Sequence, residues 1–183
     1  MVLKAARVFA TSGYDQTSMQ ELADELGIAA GGIYHYFRGK EELLIAICDQ
    51  LMEPLLDEAR GLVEQPDEHP TVVLRDLVRL WVAHVTDHRD HMVVFLQERH
   101  TIDKGAKWQR VRAHRKAFEV LLEEVLRRVE DAGLARYTDR RIALGALLGM
   151  VNHTAQWFRP RGRLTPREIA DGYTWMLTDR GGG

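Results

Sequence analysis

The stretch TSMQELADELGIAAGGIYHYFRGKEELL, residues 17–44, decides the fold. Thr17 or Ser18 caps a helix, and Ser18 with Glu21 three residues on has capping-box spacing. Met19, Leu22, Ala23 and Leu26 form its apolar stripe. Gly27 ends it, because glycine enters the left-handed conformation without steric penalty. A very short helix is expected over 29–35, and a long one from Lys40 to about 64 with Pro54 inside it. Two helices joined by a tight glycine turn are helix-turn-helix geometry. Ala23 is small where the second helix crosses the first. Ile28 and Ile33 are expected to point back toward Leu22 and Phe9. Spacing alone does not separate this from other helical hairpins with a small residue and a turn glycine.

Outward from this stretch the pattern stays helical. Only five prolines occur in 183 residues, and no stretch alternates as a half-buried strand does. Leu3, Ala6, Phe9 and Ala10 share one face of a helix over 2–12, stopped by Gly13. QPDEHP, 65–70, is a turn-rich break. Helices are expected over 71–88, 90–101, 105–132, 138–158 and 165–178, with Thr165 capping the last and Pro166 at its first position. The final GGG is expected to fray.

Composition bounds the function classes. Hydrophobic content of 45% with 28% charge is that of a water-soluble globular chain. No apolar run approaches the roughly 18 residues a bilayer span needs, so no membrane partner is expected. Cys48 is the only cysteine, which excludes an intrachain disulfide and suits a reducing cytoplasm. It shares a helix face with Leu44, Ile47, Leu51 and Leu55 and is read as a buried small hydrophobe. Net charge is −2, and the first 50 residues are acidic. They hold Lys4, Arg7, Arg38 and Lys40 against Asp15, Glu21, Asp24, Glu25, Glu41, Glu42 and Asp49. Any case for DNA therefore rests on geometry and not on bulk charge.

The quoted stretch, with AARVFATSGYDQ before it, resembles the DNA-binding domain of the TetR family of bacterial one-component regulators. Phe9, Gly13, Tyr14, Thr17 and Ser18 fill the family's A-x-x-x-F and G-[YF]-x-x-T-[ST] positions. Gly31, Ile33, Tyr34, Tyr36, Phe37, Lys40, Glu41 and Leu43 fill G-x-[LI]-Y-x-[HY]-F-x-x-K-E-x-L. The resemblance implies that the short helix enters the major groove of double-stranded operator DNA. Ala30, Gly31 and Gly32 would let its backbone come close, and Tyr34, His35 and Tyr36 would meet the groove edge. Lys40, and Thr17 with Ser18, would hold phosphates at helix N-termini. No basic segment precedes the first helix, so modest affinity is expected. With alanine at 30 and glycine at 32, few side chains remain for direct base readout.

The ending, ALLGMVNHTAQWFRPRGRLTPREIADGY, is similar to the closing helices of TetR-type repressors of fatty-acid and sterol-ring breakdown, which respond to acyl-coenzyme A. Gly145, Ala146 and Gly149, with Ile169, Tyr173 and Met176, are candidates for a homodimer interface through a four-helix bundle. Trp81, Val85, Phe95, Leu96, Trp108, Val111, Phe118, Leu148 and Trp157 are candidates for the wall of a ligand cavity. Two basic clusters could hold coenzyme A phosphates: Lys104, Lys107, Arg110, Arg112, Arg115 and Lys116 on a helix, and Arg159, Arg161 and Arg163 in a loop.

The expectation is an all-α chain: a three-helix head with a helix-turn-helix (1–45) and a six-helix ligand-binding and dimerisation domain (46–183). It would act as a repressor released from a palindromic operator by a small apolar or acyl-CoA-type inducer. Ligand entry would move the fourth helix, with Pro54 localising the bend. No cofactor, metal or catalytic residue is expected. The enzyme-class alternative is a metal-dependent hydrolase using His84, His88 and His91, which share one helical face if the helix continues. Arg89 and Asp90 suggest instead that it breaks there.

Overall fold

The computed structural model describes residues 1–65 and 68–178. The break at QPDEHP is therefore described only in part, and the expected frayed GGG lies outside the described residues. In chain order the helices are α1 (Val2–Ser12), α2 (Met19–Leu26), α3 (Ala30–Ile33), α4 (Lys40–Val63), α5 (Pro70–Asp87), α6 (Arg89–Gln97), α7 (Arg99–Ile102), α8 (Gln109–Asp131), α9 (Arg140–Trp157) and α10 (Pro166–Leu177), with a 3-10 turn at Ala106–Trp108 before α8. Among the described residues seven helices follow α3 where the spacing predicts six. The segment expected as one helix over 90–101 is two, because Glu98, at φ −90° and ψ 12°, interrupts it. Among the described residues none of these helices is long and apolar enough to cross a membrane.

The chain divides into two compact units, 1–53 with 88–113, and 54–87 with 114–183. One boundary falls at Pro54, inside α4. Proline has no N–H to give the carbonyl four residues back, so α4 is weakest there.

In the first unit α1, α2 and α3 pack in sequence, and α6 lies against α1. Phe9, Leu22, Ala23, Ile33, Leu43, Leu44 and Ile47 are buried as expected, but Leu3 is 64% exposed, because α1 turns Ala5, Ala6 and Phe9 inward, and Ala10, Met19 and Leu26 are half-buried. Phe9 meets Tyr14 edge to face, ring centroids 5.1 Å apart. Cys48 is buried, and burial pushes its thiol up to about 12, so it packs as a hydrophobe. Two ion pairs brace α4, one from the 3-10 turn, Lys107 Nζ to Glu41 Oε2, and one from the first turn of α8, Arg110 to the largely buried Asp49.

In the second unit α5 packs against α9 and α10. Its buried face carries Val73, Leu74, Leu77, Val78, Trp81, Val82 and Val85. Trp81 meets Phe118 of α8 edge to face, centroids 4.9 Å apart. The Arg79 guanidinium donates to both oxygens of Asp171 at 2.6 and 2.8 Å, tying α5 to α10 and holding that carboxyl below its ordinary range. Thr165 and Glu168 form a full capping box with Pro166 just inside, so α10 starts where the sequence says. The chain closes with Arg136 N–H donating to the Leu177 carbonyl at 2.9 Å.

Candidate nucleic-acid interface

Two devices bound α2. At its start Ser18 Oγ accepts from Glu21 N–H at 3.1 Å while Glu21 Oε2 accepts from Ser18 N–H at 2.6 Å. Those bonds hold the Glu21 carboxyl below its ordinary range. At its end Gly27 has φ 71° and ψ 32°, the left-handed region. Gly27 N–H donates to the Asp24 carbonyl and Ile28 N–H to the Ala23 carbonyl, each at 3.0 Å. These satisfy the orphan carbonyls and aim the chain into α3.

α3 is one turn long, shorter than the expected 29–35, because two consecutive glycines are poor helix formers. The backbone keeps turning beyond it: Tyr36 and Phe37 N–H both donate to the Ile33 carbonyl, at 3.1 and 3.0 Å. Ile33 is fully buried and anchors the segment from inside. Tyr34 and Tyr36 stand out, 55% and 68% exposed, with exposed His35 between them. Gly31 and Gly32 have negative φ, so no left-handed turn requires glycine there. A Cβ at Gly31 would meet nothing within 4 Å, and one at Gly32 only Ile28 Cβ at 4.0 Å. Nothing inside the chain demands glycine at either position. Each costs helix stability of about 0.5–1 kcal/mol relative to alanine.

Three expected phosphate contacts are engaged within the fold. Thr17 is buried and its hydroxyl donates to the Gly13 carbonyl at 2.7 Å. Ser18 Oγ serves the cap. Lys40 Nζ donates to the Tyr14 carbonyl at 2.8 Å and the Asp15 carbonyl at 3.3 Å, and sits 4.7 Å from the centroid of the Tyr14 ring. The Tyr14 phenol is pushed up to about 12, chiefly by burial. Lys40 therefore fastens the start of α4 to the α1–α2 loop. Its acceptors are main-chain atoms some 25 residues away, and no side-chain pattern signals such a bond. Arg38 is exposed, and its N–H donates to Glu42 at 2.8 Å.

A short helix presents bare backbone and aromatic hydroxyls outward, behind a capped, glycine-turned partner. Residues 2–47 match the family described as "Bacterial regulatory proteins, tetR family", and 67–180 match "Tetracyclin repressor-like, C-terminal domain". The chain belongs to the TetR family.

Among similar proteins, the HTH-type transcriptional regulator YerO of Bacillus subtilis is 29% identical over 99 residues, covering 54% of this chain and 34% of its own length. The chain thus spans about a third of that relative. The HTH-type transcriptional repressor KstR2 of Mycobacterium tuberculosis is 22% identical over 170 residues, 92% of this chain and 84% of its own. The KstR2 structure shares the fold at a TM-score of 0.88, covering 97% and 93%. The structure of AibR in complex with isovaleryl coenzyme A and operator DNA is 33% identical, covers 97% and 96%, and has a TM-score of 0.81.

Beyond the head, the residues expected to serve this TetR-family chain fall into two groups. In the first unit Phe95, Trp108 and Val111 are buried and Leu96 is half-buried. In the second, Trp81, Val85 and Phe118 are buried, Leu148 is half-buried, and Trp157 is 42% exposed at the end of α9. Gly145, Ala146 and Gly149 lie exposed along α9, beside the 69%-exposed Ile142. On α10 Met176 is exposed, whereas Ile169 faces inward and Tyr173 is half-buried, its hydroxyl bonded to Thr154 Oγ1 at 2.9 Å. Trp175, not singled out from the sequence, is 51% exposed next to Met176, with the Arg136 guanidinium 5.4 Å from its ring centroid. The sequence carried no clear signal for it: 168, 172, 175 and 176 share a face opposite the buried 169, 170, 174 and 177, and the packing of α10 against α5 decides which face points inward.

The helical face on which the hydrolase alternative depends is not continuous. α5 ends at Asp87, α6 begins at Arg89, and His88 between them has φ −107° and ψ 38°. The His88 and His91 rings meet edge to face at 5.8 Å.

Proposed function

We propose that the chain is a ligand-responsive transcriptional repressor that binds double-stranded operator DNA as a homodimer and works in the cytoplasm. Residues 1–45 form the DNA-reading head and 46–183 carry ligand binding and dimerisation. The observation that carries the reading is the open backbone at Gly31 and Gly32 beside exposed Tyr34, His35 and Tyr36. Glycine that nothing internal requires is explained by a surface that must come close from outside. Main-chain amides and hydroxyls then supply phosphate and groove contacts that the acidic head cannot supply as bulk charge. Thr17, Ser18 and Lys40 act by fixing the frame of this surface.

The dimer follows from the outward faces of α9 and α10, where Ile142, Gly145, Ala146, Gly149, Trp175 and Met176 offer small and apolar groups. Two recognition helices related by a two-fold axis read a palindrome. The ligand class is an acyl-coenzyme A, supported by the similarity to AibR, whose structure holds isovaleryl coenzyme A. Within the second unit Trp81, Val85 and Phe118 are the apolar groups we assign to the acyl chain. A regulator of this kind has no catalytic residue. By linkage, a thioester that weakens operator binding itself binds the operator-bound dimer more weakly by the same factor.

The test is an anisotropy titration against DNA upstream of the chain's own gene, at fixed salt, with and without isovaleryl-CoA and a long-chain acyl-CoA. Tight binding lost on adding thioester is expected. Tight binding indifferent to every thioester removes the ligand class and keeps the repressor. Absence of sequence-specific binding, with the operator of a similar regulator also refused, removes the repressor.

A further inference from the structure

We propose that the loop between α9 and α10 cradles the phosphates of the coenzyme A nucleotide, with Arg159, Arg161 and Arg163 as the binding groups. This rests on the acyl-coenzyme A reading of the inducer.

The sequence offers two basic clusters for such a role, and the structure tells them apart. Apart from Lys104, whose Nζ lies 2.6 Å from His100 Nε2, the first cluster is spent on the fold. Lys107 pairs with Glu41 and Arg110 with Asp49. Arg112 Nη1 donates to the Ile102 and Gly105 carbonyls, both at 2.9 Å, and Arg115 and Lys116 face Glu119. In the loop, Arg159, Arg161 and Arg163 are all exposed. Among the described residues none of the three has a carboxylate in salt-bridge contact. Two acids on α10 are committed elsewhere. Glu168 lies close enough to feel Arg163, but its Oε2 accepts from Thr165 N–H and the Thr165 hydroxyl, both at 2.8 Å. Asp171 is held by Arg79.

The loop is also a defined turn and not a slack tether. Gly162 N–H donates to the Arg159 carbonyl at 2.8 Å. A Cβ at Gly162 would stand 2.9 Å from that same carbonyl oxygen, so only glycine closes the turn. Pro160 fixes its own φ inside it. The turn therefore holds three guanidinium groups within five residues, with no carboxylate in salt-bridge contact among the described residues. Their mutual repulsion is relieved when a polyanion arrives. Coenzyme A carries a diphosphate and a separate 3′-phosphate on its nucleotide, and guanidinium forks match phosphate oxygens two at a time. A cradle for the nucleotide half would serve any acyl chain, leaving selectivity to the apolar wall.

The experiment is calorimetric titration of the full chain with isovaleryl-CoA and with free coenzyme A. It compares the wild type, the triple variant Arg159→Gln/Arg161→Gln/Arg163→Gln, and Gly162→Ala, which keeps every charge but cannot close the turn. Thermal unfolding checks that each folds. The triple variant is expected to lose about tenfold or more in affinity for both ligands and to lose most of their salt dependence, with operator binding in the absence of thioester unchanged. Gly162→Ala is expected to weaken both ligands as well. A triple variant that binds isovaleryl-CoA as the wild type does overturns the cradle and leaves the acyl-coenzyme A reading intact. A wild type that binds neither ligand overturns both. Loss of operator affinity with thioester binding intact overturns the cradle and assigns the loop to DNA phosphates.

Discussion

At the scale of single residues, the head trades stability for access. Gly31 sits in a helical conformation with open space where a side chain would go. Gly31→Ala is therefore expected to stabilise the head by about 0.5–1 kcal/mol, raising the melting temperature by about 2 °C. The same methyl group holds the backbone off the duplex, so operator affinity falls while stability rises. Differential scanning calorimetry and an operator titration on one preparation check both; a variant with unimpaired affinity would leave the glycine without a reason. Lys40 makes the opposite case. Its ammonium is committed to two carbonyls and a ring, so it positions the α1–α2 loop. Lys40→Gln is expected to lower operator affinity without changing the slope of log affinity against log salt. A direct phosphate contact would reduce that slope by about one. Gly31 was legible in the sequence because it is a poor choice for a helix. The engagement of Lys40 was not, because its partners are main-chain atoms brought near only by folding.

At the scale of elements, periodicity located every long helix, and capping chemistry located the starts of α2 and α10, while α8 begins at Gln109 and not at 105. Ser18 with Glu21 and Thr165 with Glu168 form the boxes their spacing announces. Periodicity failed where helices are a turn long. α3, α7 and the 3-10 turn before α8 lack a full apolar stripe, so their ends follow from local bonds at Ile33 and Glu98 and from the positive φ of Gly105. Surface charge pairs add stability along a helix, and α8 carries the clearest set. Glu124 accepts from both Arg127 and Arg128, and these bonds lower its carboxyl to about 2. A carboxyl depressed in the folded state contributes stability that is present above its ordinary value and is lost as pH falls toward the depressed one. The melting temperature is therefore expected to drop as pH is lowered from about 5 toward 2. Glu124→Gln should be less stable than the wild type at neutral pH and nearly level with it at the acid end. Parallel melting curves from pH 7 down to 2.5 check this; curves that stay equally separated throughout would place the loss elsewhere.

At the scale of the whole molecule, the decisive question is what covers α9 and α10. Ile142, Trp175 and Met176 are each more than half exposed, and the α9 glycines have no neighbour within 4 Å of a built Cβ. The small residues on α9 were legible as a helix-spaced stripe. Trp175 was not, because which side of α10 faces inward is set by its packing against α5 and by the Arg79–Asp171 fork. If a second copy covers this surface, a charge placed there acts on association and spares the fold. Gly149→Arg introduces a long cation at a position open to solvent in the single chain, so the fold should survive, with a melting temperature lowered only by the lost association and no longer dependent on protein concentration. Sedimentation velocity should then show a monomer where the wild type shows a dimer. Two half-sites bound independently lose the effective concentration that joins them, so operator affinity should fall by on the order of 10²-fold or more, while affinity for an isolated half-site stays the same. A variant that remains dimeric would move the interface off this stretch of α9. A monomer that still holds the full operator at wild-type affinity would show that each head carries enough contacts by itself, and the two-fold reading of a palindrome would have to be abandoned.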